Sequence, residues 1–116
     1  MMAGMRLLLL IASFALATVA HGADVTAGQA KAKEICQACH GLDGNSAVAD
    51  YPKLGGQYPD YLAKALRDYK SGARKNPVMG AMASGLTAQD IDNLSAYFAS
   101  LPGSKLTDLH GHIEGE

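Results

Sequence analysis

The pattern of apolar and polar residues predicts three short helices and no strand. Apolar side chains recur at three- and four-residue steps, which is the spacing of one helical face, and no stretch shows convincing strand alternation. The first helix is predicted to open at a capping box of Thr26 and Gln29 and to reach about Ala38. Its buried face is expected to contain Val25, Gly28, Ala32 and Ile35.

The second and third helices have recognisable ends. Pro59 stands near the start of the second helix, and Gly72 is its expected C-cap. The third helix is predicted to begin at Thr87, which is followed by acidic Asp90, and to end near Leu101. The expected apolar stripes are Tyr61, Leu62, Ala65, Leu66 and Tyr69 in the second helix, and Ile91, Leu94, Phe98 and Leu101 in the third.

Two segments between the helices have loop composition. Residues 41–57 are interrupted by several glycines and a proline, which favour turns. The segment NPVMGAM, residues 76–82, contains Pro77 and Gly80, so we expect no regular helix there.

The N-terminal residues have the pattern of a secretory signal peptide. Arg6 precedes an uncharged apolar run from Leu7 to about Ala17, and small residues follow. Because this run is shorter than the roughly 20 residues of a spanning helix, we expect cleavage before Ala23. The mature protein would then be periplasmic and would have no membrane span.

Both cysteines of the chain, Cys36 and Cys39, stand together, with His40 directly after them. A disulfide between them would close a very small loop and would stabilise the chain little. A dithiol redox pair is most reactive at a helix N-terminus, whereas this pair follows a predicted helix. A zinc site needs four ligands, and the other histidines after the signal segment are His110 and His112, in a Gly-containing tail.

The haem hypothesis accounts for every residue of this cluster. Cys-x-x-Cys-His is the attachment pattern of c-type haem, in which two thioethers hold the porphyrin and the imidazole reaches the iron. The other face of the iron then needs a ligand, and Met79 and Met82 are the only methionines after the signal segment. A buried porphyrin would also supply the apolar volume that three short helices lack. The motif predicts one covalently attached haem c.

In its motifs and their order, the chain resembles the class I cytochromes c, specifically small bacterial members, over about residues 27–101. The likeness rests on Gly28 and on the segments CQACH, YPKLGGQ, SGARKNP, NPVMGAM and GLTAQDIDNLSAYFASL. It implies an all-α class I cytochrome c fold, with short helices and Gly/Pro-rich loops around one haem, in residues 23–103. Residues 1–22 would be the signal peptide, and residues 104–116 a disordered tail without a counterpart.

The resemblance also implies which residues hold the haem. Cys36 and Cys39 would carry the thioethers, and His40 would be the proximal iron ligand. The carbonyl oxygen of Pro52 would accept a hydrogen bond from the second nitrogen of His40 and fix the ring.

On the other face, the resemblance implies Met79 as the distal ligand, with Met82 as the fallback. It also places Gly28 where the first helix crosses the last one, against an aromatic side chain, for which Tyr97 or Phe98 fits.

Ligation by His and Met fills both axial positions of the iron, which suits electron transfer and not catalysis. We therefore expect a monomeric periplasmic carrier, not an enzyme, that exchanges single electrons with redox proteins as donor and acceptor. The alternatives are a haem-bearing subunit of a larger oxidoreductase, or a gas-binding or peroxidatic haem protein if the Met ligand is labile. The net charge of −1 provides no basic surface for nucleic acid.

Overall fold

The structure is a computed structural model that describes residues 22–102. This range contains five helices and no strand, which confirms the all-α prediction. None of these helices is long and apolar enough to cross a membrane. The predicted signal peptide, apart from its last residue, and the predicted tail lie outside the described range. The helices are α1 (Val25–Ile35), α2 (Gln37–His40), α3 (Pro59–Ser71), α4 (Pro77–Ser84) and α5 (Ala88–Ser100).

Helix α1 begins earlier than the sequence pattern predicts. Its N-cap is Asp24, whose carboxylate accepts a hydrogen bond of 3.0 Å from the backbone N–H of Ala27. The prediction of a capping box of Thr26 and Gln29 is therefore wrong, because Asp24, two residues before Thr26, caps the helix. Val25, which was expected on the buried face, is exposed.

Helices α3 and α5 agree with the prediction. Gly72 ends α3 with a φ of 82°, a left-handed conformation that favours glycine. Thr87 caps α5 in a capping box with Asp90, in which each side chain bonds to the other residue's backbone N–H.

Helix α4 corrects the expectation of an irregular loop in residues 76–82. The Asn76 side chain accepts hydrogen bonds of 3.0 Å from the backbone N–H groups of both Val78 and Met79. Pro77 occupies the first helical turn, where its missing N–H costs nothing and its fixed φ suits the helix. The Asn-Pro pair therefore starts a helix here.

The first and last helices cross in direct backbone contact at Gly28. A Cβ atom built on Gly28 would lie 2.1 Å from the Asn93 carbonyl oxygen and 2.9 Å from Tyr97 Cβ. The predicted crossing of these helices against an aromatic residue is confirmed, and Tyr97 is that residue. A hydrogen bond of 2.7 Å from the Asp24 N–H to Asn93 Oδ1 adds to the contact.

The core lies between α5 and the other helices. Three of the predicted α5 residues, Ile91, Leu94 and Phe98, are buried, and Leu101 packs against them while half-buried. The remaining buried apolar side chains are Ala32, Leu62, Ala63, Ala83, Leu86 and Tyr97.

Replacing Gly28 by alanine is expected to destabilise the protein by about 1–3 kcal/mol, because the new methyl group must separate two backbones. The control is Gly85→Ala. Apart from its chain neighbours, no atom lies within 4 Å of a Cβ built on Gly85. The φ of Gly85, −87°, suits alanine. Chemical denaturation of both variants measures the difference. Equal stability of the two variants would contradict the proposed contact.

Candidate functional site

An apolar cleft of about 180 Å³, partly open to solvent, lies within the described part of the chain. All residues of the predicted apolar stripe of α3 line this cleft, so the stripe faces a cavity. Of these residues, only Leu62 is buried by other parts of the protein. The stripe residues are Tyr61, Leu62, Ala65, Leu66 and Tyr69.

The Cys-x-x-Cys-His segment enters the cleft from one side. Cys36 lies at the junction of α1 and α2, and His40 is the last residue of α2; both side chains line the cleft. His40 is buried, with 6% of its surface exposed. Cys39 is not among the described residues that line the cleft. Its side chain lies beside Tyr51, and its sulfur raises the pKa of the Tyr51 hydroxyl.

Burial raises the pKa of the Cys36 thiol to about 11. A dithiol oxidoreductase needs the opposite shift, since the thiolate is its nucleophile. The surroundings of Cys36 therefore do not support the dithiol alternative.

The imidazole of His40 is held by a backbone carbonyl. Nδ1 lies 2.8 Å from the carbonyl oxygen of Pro52, which is the hydrogen bond that the sequence analysis expects for this pair. Because a carbonyl oxygen only accepts, Nδ1 carries the proton, and Nε2 keeps a free lone pair. Nε2 is therefore the nitrogen that could bind a metal. The Tyr51 ring stands edge-on to the imidazole at 6.2 Å between centroids.

The loop that presents Pro52 is fastened to the rest of the fold. The N–H groups of Leu54 and Gly55 both donate to the Gly44 carbonyl, at 2.7 and 3.0 Å, and the Gly56 N–H donates to the Phe98 carbonyl at 2.9 Å. Gly44 has a φ of +70° and a built Cβ there would lie 2.6 Å from the Gly55 nitrogen, so no other residue fits. These bonds fix the position of the Pro52 carbonyl relative to α5.

The two candidate methionines have different surroundings on α4. Met79 is half-buried and lines the cleft, together with His40 and Cys36. Met82 is 46% exposed and is absent from the described wall. The structure thus brings Met79, and not Met82, to the same cavity as the Cys-x-x-Cys-His segment.

The residues of the cleft fit a covalently attached haem. The wall carries a thiol, an imidazole with a free Nε2 and a thioether in apolar surroundings, which are the functional groups that hold such a group. Among residues 22–102, no group of three or more His, Cys, Asp or Glu side chains is arranged to hold a metal ion directly.

Comparison with known proteins agrees with this fit. The family model for cytochrome c matches residues 25–102. Cytochrome c4 of Thiocapsa roseopersicina is 49% identical over 79 residues, which are 68% of this chain and 41% of that protein. The cytochrome subunit of sulfide dehydrogenase from Chlorobaculum tepidum is 42% identical over 57% of this chain and 59% of its own length.

Among solved structures, reduced cytochrome c4 from Pseudomonas stutzeri superposes with a TM-score of 0.67 at 42% identity, over 72% of this chain and 48% of that one. The chain belongs to the cytochrome c family. It spans less than half the length of the cytochromes c4 that it matches here.

Two residues beside the site were not found from the sequence. Tyr51 contacts both Cys39 and His40, and Lys53 lines the cleft. Both stand in the loop that follows the haem motif, and no spacing rule distinguishes them from other loop residues.

Replacing Asn76 by alanine is expected to destabilise the protein by about 0.5–2 kcal/mol, because two helix N–H groups lose their acceptor. Asn76→Asp keeps the acceptor oxygen and is the matched control. Denaturation gives the stability, and amide hydrogen exchange at Val78 and Met79 should quicken in the alanine variant alone. If exchange at both amides stayed at the wild-type rate, the cap would not be what starts α4.

Proposed function

We propose that this chain is an exported electron carrier, which holds one haem c through Cys36 and Cys39 with His40 and Met79 as the axial ligands. The observation that carries this proposal is the convergence of Cys36, His40 and Met79 on one apolar cleft. Membership of the cytochrome c family supports the cofactor class.

The two axial positions are supported by different parts of the fold. The Pro52 carbonyl orients His40 and increases the basicity of its Nε2. Met79 is placed by the first turn of α4, which the Asn76 cap and Pro77 hold. Because both side chains are attached to fixed backbone, the protein needs little rearrangement between oxidation states.

The haem, when bound, supplies the one-electron chemistry, and the polypeptide positions and shields it. The α3 stripe and the α5 residues Leu94 and Phe98 give the cleft an apolar wall. Cys36 is the cysteine already placed in that wall. Cys39 is assigned to the second thioether on the motif alone, since its side chain lies beside Tyr51.

One haem is proposed because the chain has two cysteines and a single Cys-x-x-Cys-His motif. Two axial protein ligands leave no open position on the iron, which favours electron transfer over peroxidatic or gas-binding chemistry. In addition, His40 is the one histidine among the described residues that line the cleft. The cleft wall therefore offers no second imidazole that could assist the cleavage of peroxide. The signal-like segment before Ala23 supports export to the periplasm.

A second candidate is a haem-bearing subunit of a larger oxidoreductase. The similarity to a protein named as the cytochrome subunit of sulfide dehydrogenase favours it. The two proposals share the same site and differ in assembly. A monomer on native size analysis of the periplasmic fraction supports the free carrier, whereas stable co-elution with an enzyme supports the subunit.

Replacing Met79 by alanine is expected to remove the Met-to-iron charge-transfer band at the red end of the ferric spectrum. The same change should lower the reduction potential, because a neutral thioether favours ferrous iron, and should open the iron to carbon monoxide. Absorption spectra, potentiometry and carbon monoxide titration measure these three effects.

Met82→Leu is the matched control, because Met82 shares the helix but is absent from the cleft wall. It should leave all three properties nearly intact. The reverse pattern in the two variants would refute the Met79 assignment, and an unchanged spectrum in both would refute His/Met ligation.

A further inference from the structure

Tyr51 stands directly before Pro52, whose carbonyl oxygen holds the imidazole of His40. The Tyr51 ring meets that imidazole edge-on, with 6.2 Å between the centroids and 60° between the planes, an arrangement that aromatic pairs favour. The hydroxyl of the same side chain lies beside Cys39, whose sulfur raises the pKa of this hydroxyl by its charge. The residue before the acceptor carbonyl therefore also contacts the donor ring.

The backbone of Tyr51 is restricted on both sides. Its N–H donates to the Val48 carbonyl at 3.2 Å. On the other side, the ring of Pro52 disfavours helical backbone at the residue before it. The direction of the Tyr51 side chain is thus set by a backbone with little freedom.

Tyr51 lies between His40 and solvent. His40 is 6% exposed, whereas Tyr51, which contacts it, is 39% exposed. The hydrogen bond from His40 to Pro52 is only partly buried, and water competes with a hydrogen bond where nothing covers it. Among residues 22–102, Tyr51 is the aromatic side chain that pairs with the imidazole.

We propose that Tyr51 is a positioning residue for His40, whose ring covers the hydrogen bond between His40 Nδ1 and the Pro52 carbonyl and keeps water from it. The covered bond holds the tautomer and the orientation of the imidazole. It thereby keeps Nε2 available as the iron ligand under the proposed function, on which this inference rests. The ring provides the cover, and the hydroxyl beside Cys39 is not needed for it.

The test is the exchange of the His40 Nδ1 proton with solvent, followed by NMR in the reduced, haem-loaded protein. In Tyr51→Ala, we expect this proton to exchange about 2- to 10-fold faster, the factor that corresponds to the net contribution of one hydrogen bond. Tyr51→Phe keeps the ring without the hydroxyl and should exchange at the wild-type rate. Tyr58→Ala is the matched control, because Tyr58 is 71% exposed and is not among the described residues that line the cleft.

The backbone amide of Gly56 separates a local effect from a general one. It stands in the same loop and donates to the Phe98 carbonyl at 2.9 Å. Its exchange should stay at the wild-type rate in every variant, because Tyr51 covers a different bond. If Gly56 and His40 accelerated by the same factor in Tyr51→Ala, the whole loop would be opening, and the inference would be overturned.

A wild-type rate for the His40 proton in Tyr51→Ala would also overturn the inference. So would equal acceleration in Tyr51→Phe and Tyr51→Ala, since the hydroxyl would then be the group that acts. If Tyr51→Ala does not retain haem, Tyr51→Val decides, because a β-branched side chain suits extended backbone but is too small to cover the bond. A wild-type rate in Tyr51→Val would then overturn the inference.

The failure of this inference and the failure of the proposed function give different results. Absence of covalent haem from the wild-type chain would refute the proposed function itself. Unchanged His40 exchange in Tyr51→Ala, with haem and the Met79 band present, would refute only the role of Tyr51.

Discussion

The close contact between α1 and α5 at Gly28 is the constraint on which the placement of the haem motif depends. The backbones approach so closely that even one methyl group would overlap the Asn93 carbonyl. Because α1 leads directly into Cys36 and His40, this contact places the haem motif relative to α5. Leu94 and Phe98 of α5 line the same cleft as the motif. The crossing thus helps to place two parts of the cleft wall relative to each other.

The second constraint is the loop between α2 and α3. It contains no regular structure, yet its backbone bonds to itself through Gly44 and to α5 through Gly56. These bonds place the Pro52 carbonyl against His40. The imidazole is oriented by backbone that is itself fixed to the helical core, so both its tautomer and its position follow from the fold.

Much of this arrangement could be predicted from the sequence, because the relevant signals are local. Pro59 and Gly72 bound α3, and Thr87 with Asp90 opens α5, as capping chemistry requires. The Cys36 to His40 motif is likewise a local signal, whereas the Gly28 crossing follows from the resemblance to the class I cytochromes c. Two of the errors lie where local rules compete. Asp24 caps α1 before Thr26 can, and Asn76 with Pro77 starts a helix in a segment that was interpreted as a loop.

The remaining features depend on contacts between distant segments. The pairing of Tyr61 and Tyr69 with Arg74 requires knowing that α3 and the segment after it face one cavity. The location of Cys39 beside Tyr51 likewise depends on how the loop folds back. Spacing along the chain contains no information on either contact.

The central claim is that the apolar cleft holds one covalently attached haem, which completes a core that the helices alone leave open. The most direct test is the intact mass of the periplasmic protein under denaturing conditions, which remove any haem that is not covalently bound. The account predicts the mass of the chain from Ala23 onward plus one haem. A mass equal to the bare chain, or to the chain less two hydrogens of a Cys36–Cys39 disulfide, would contradict it.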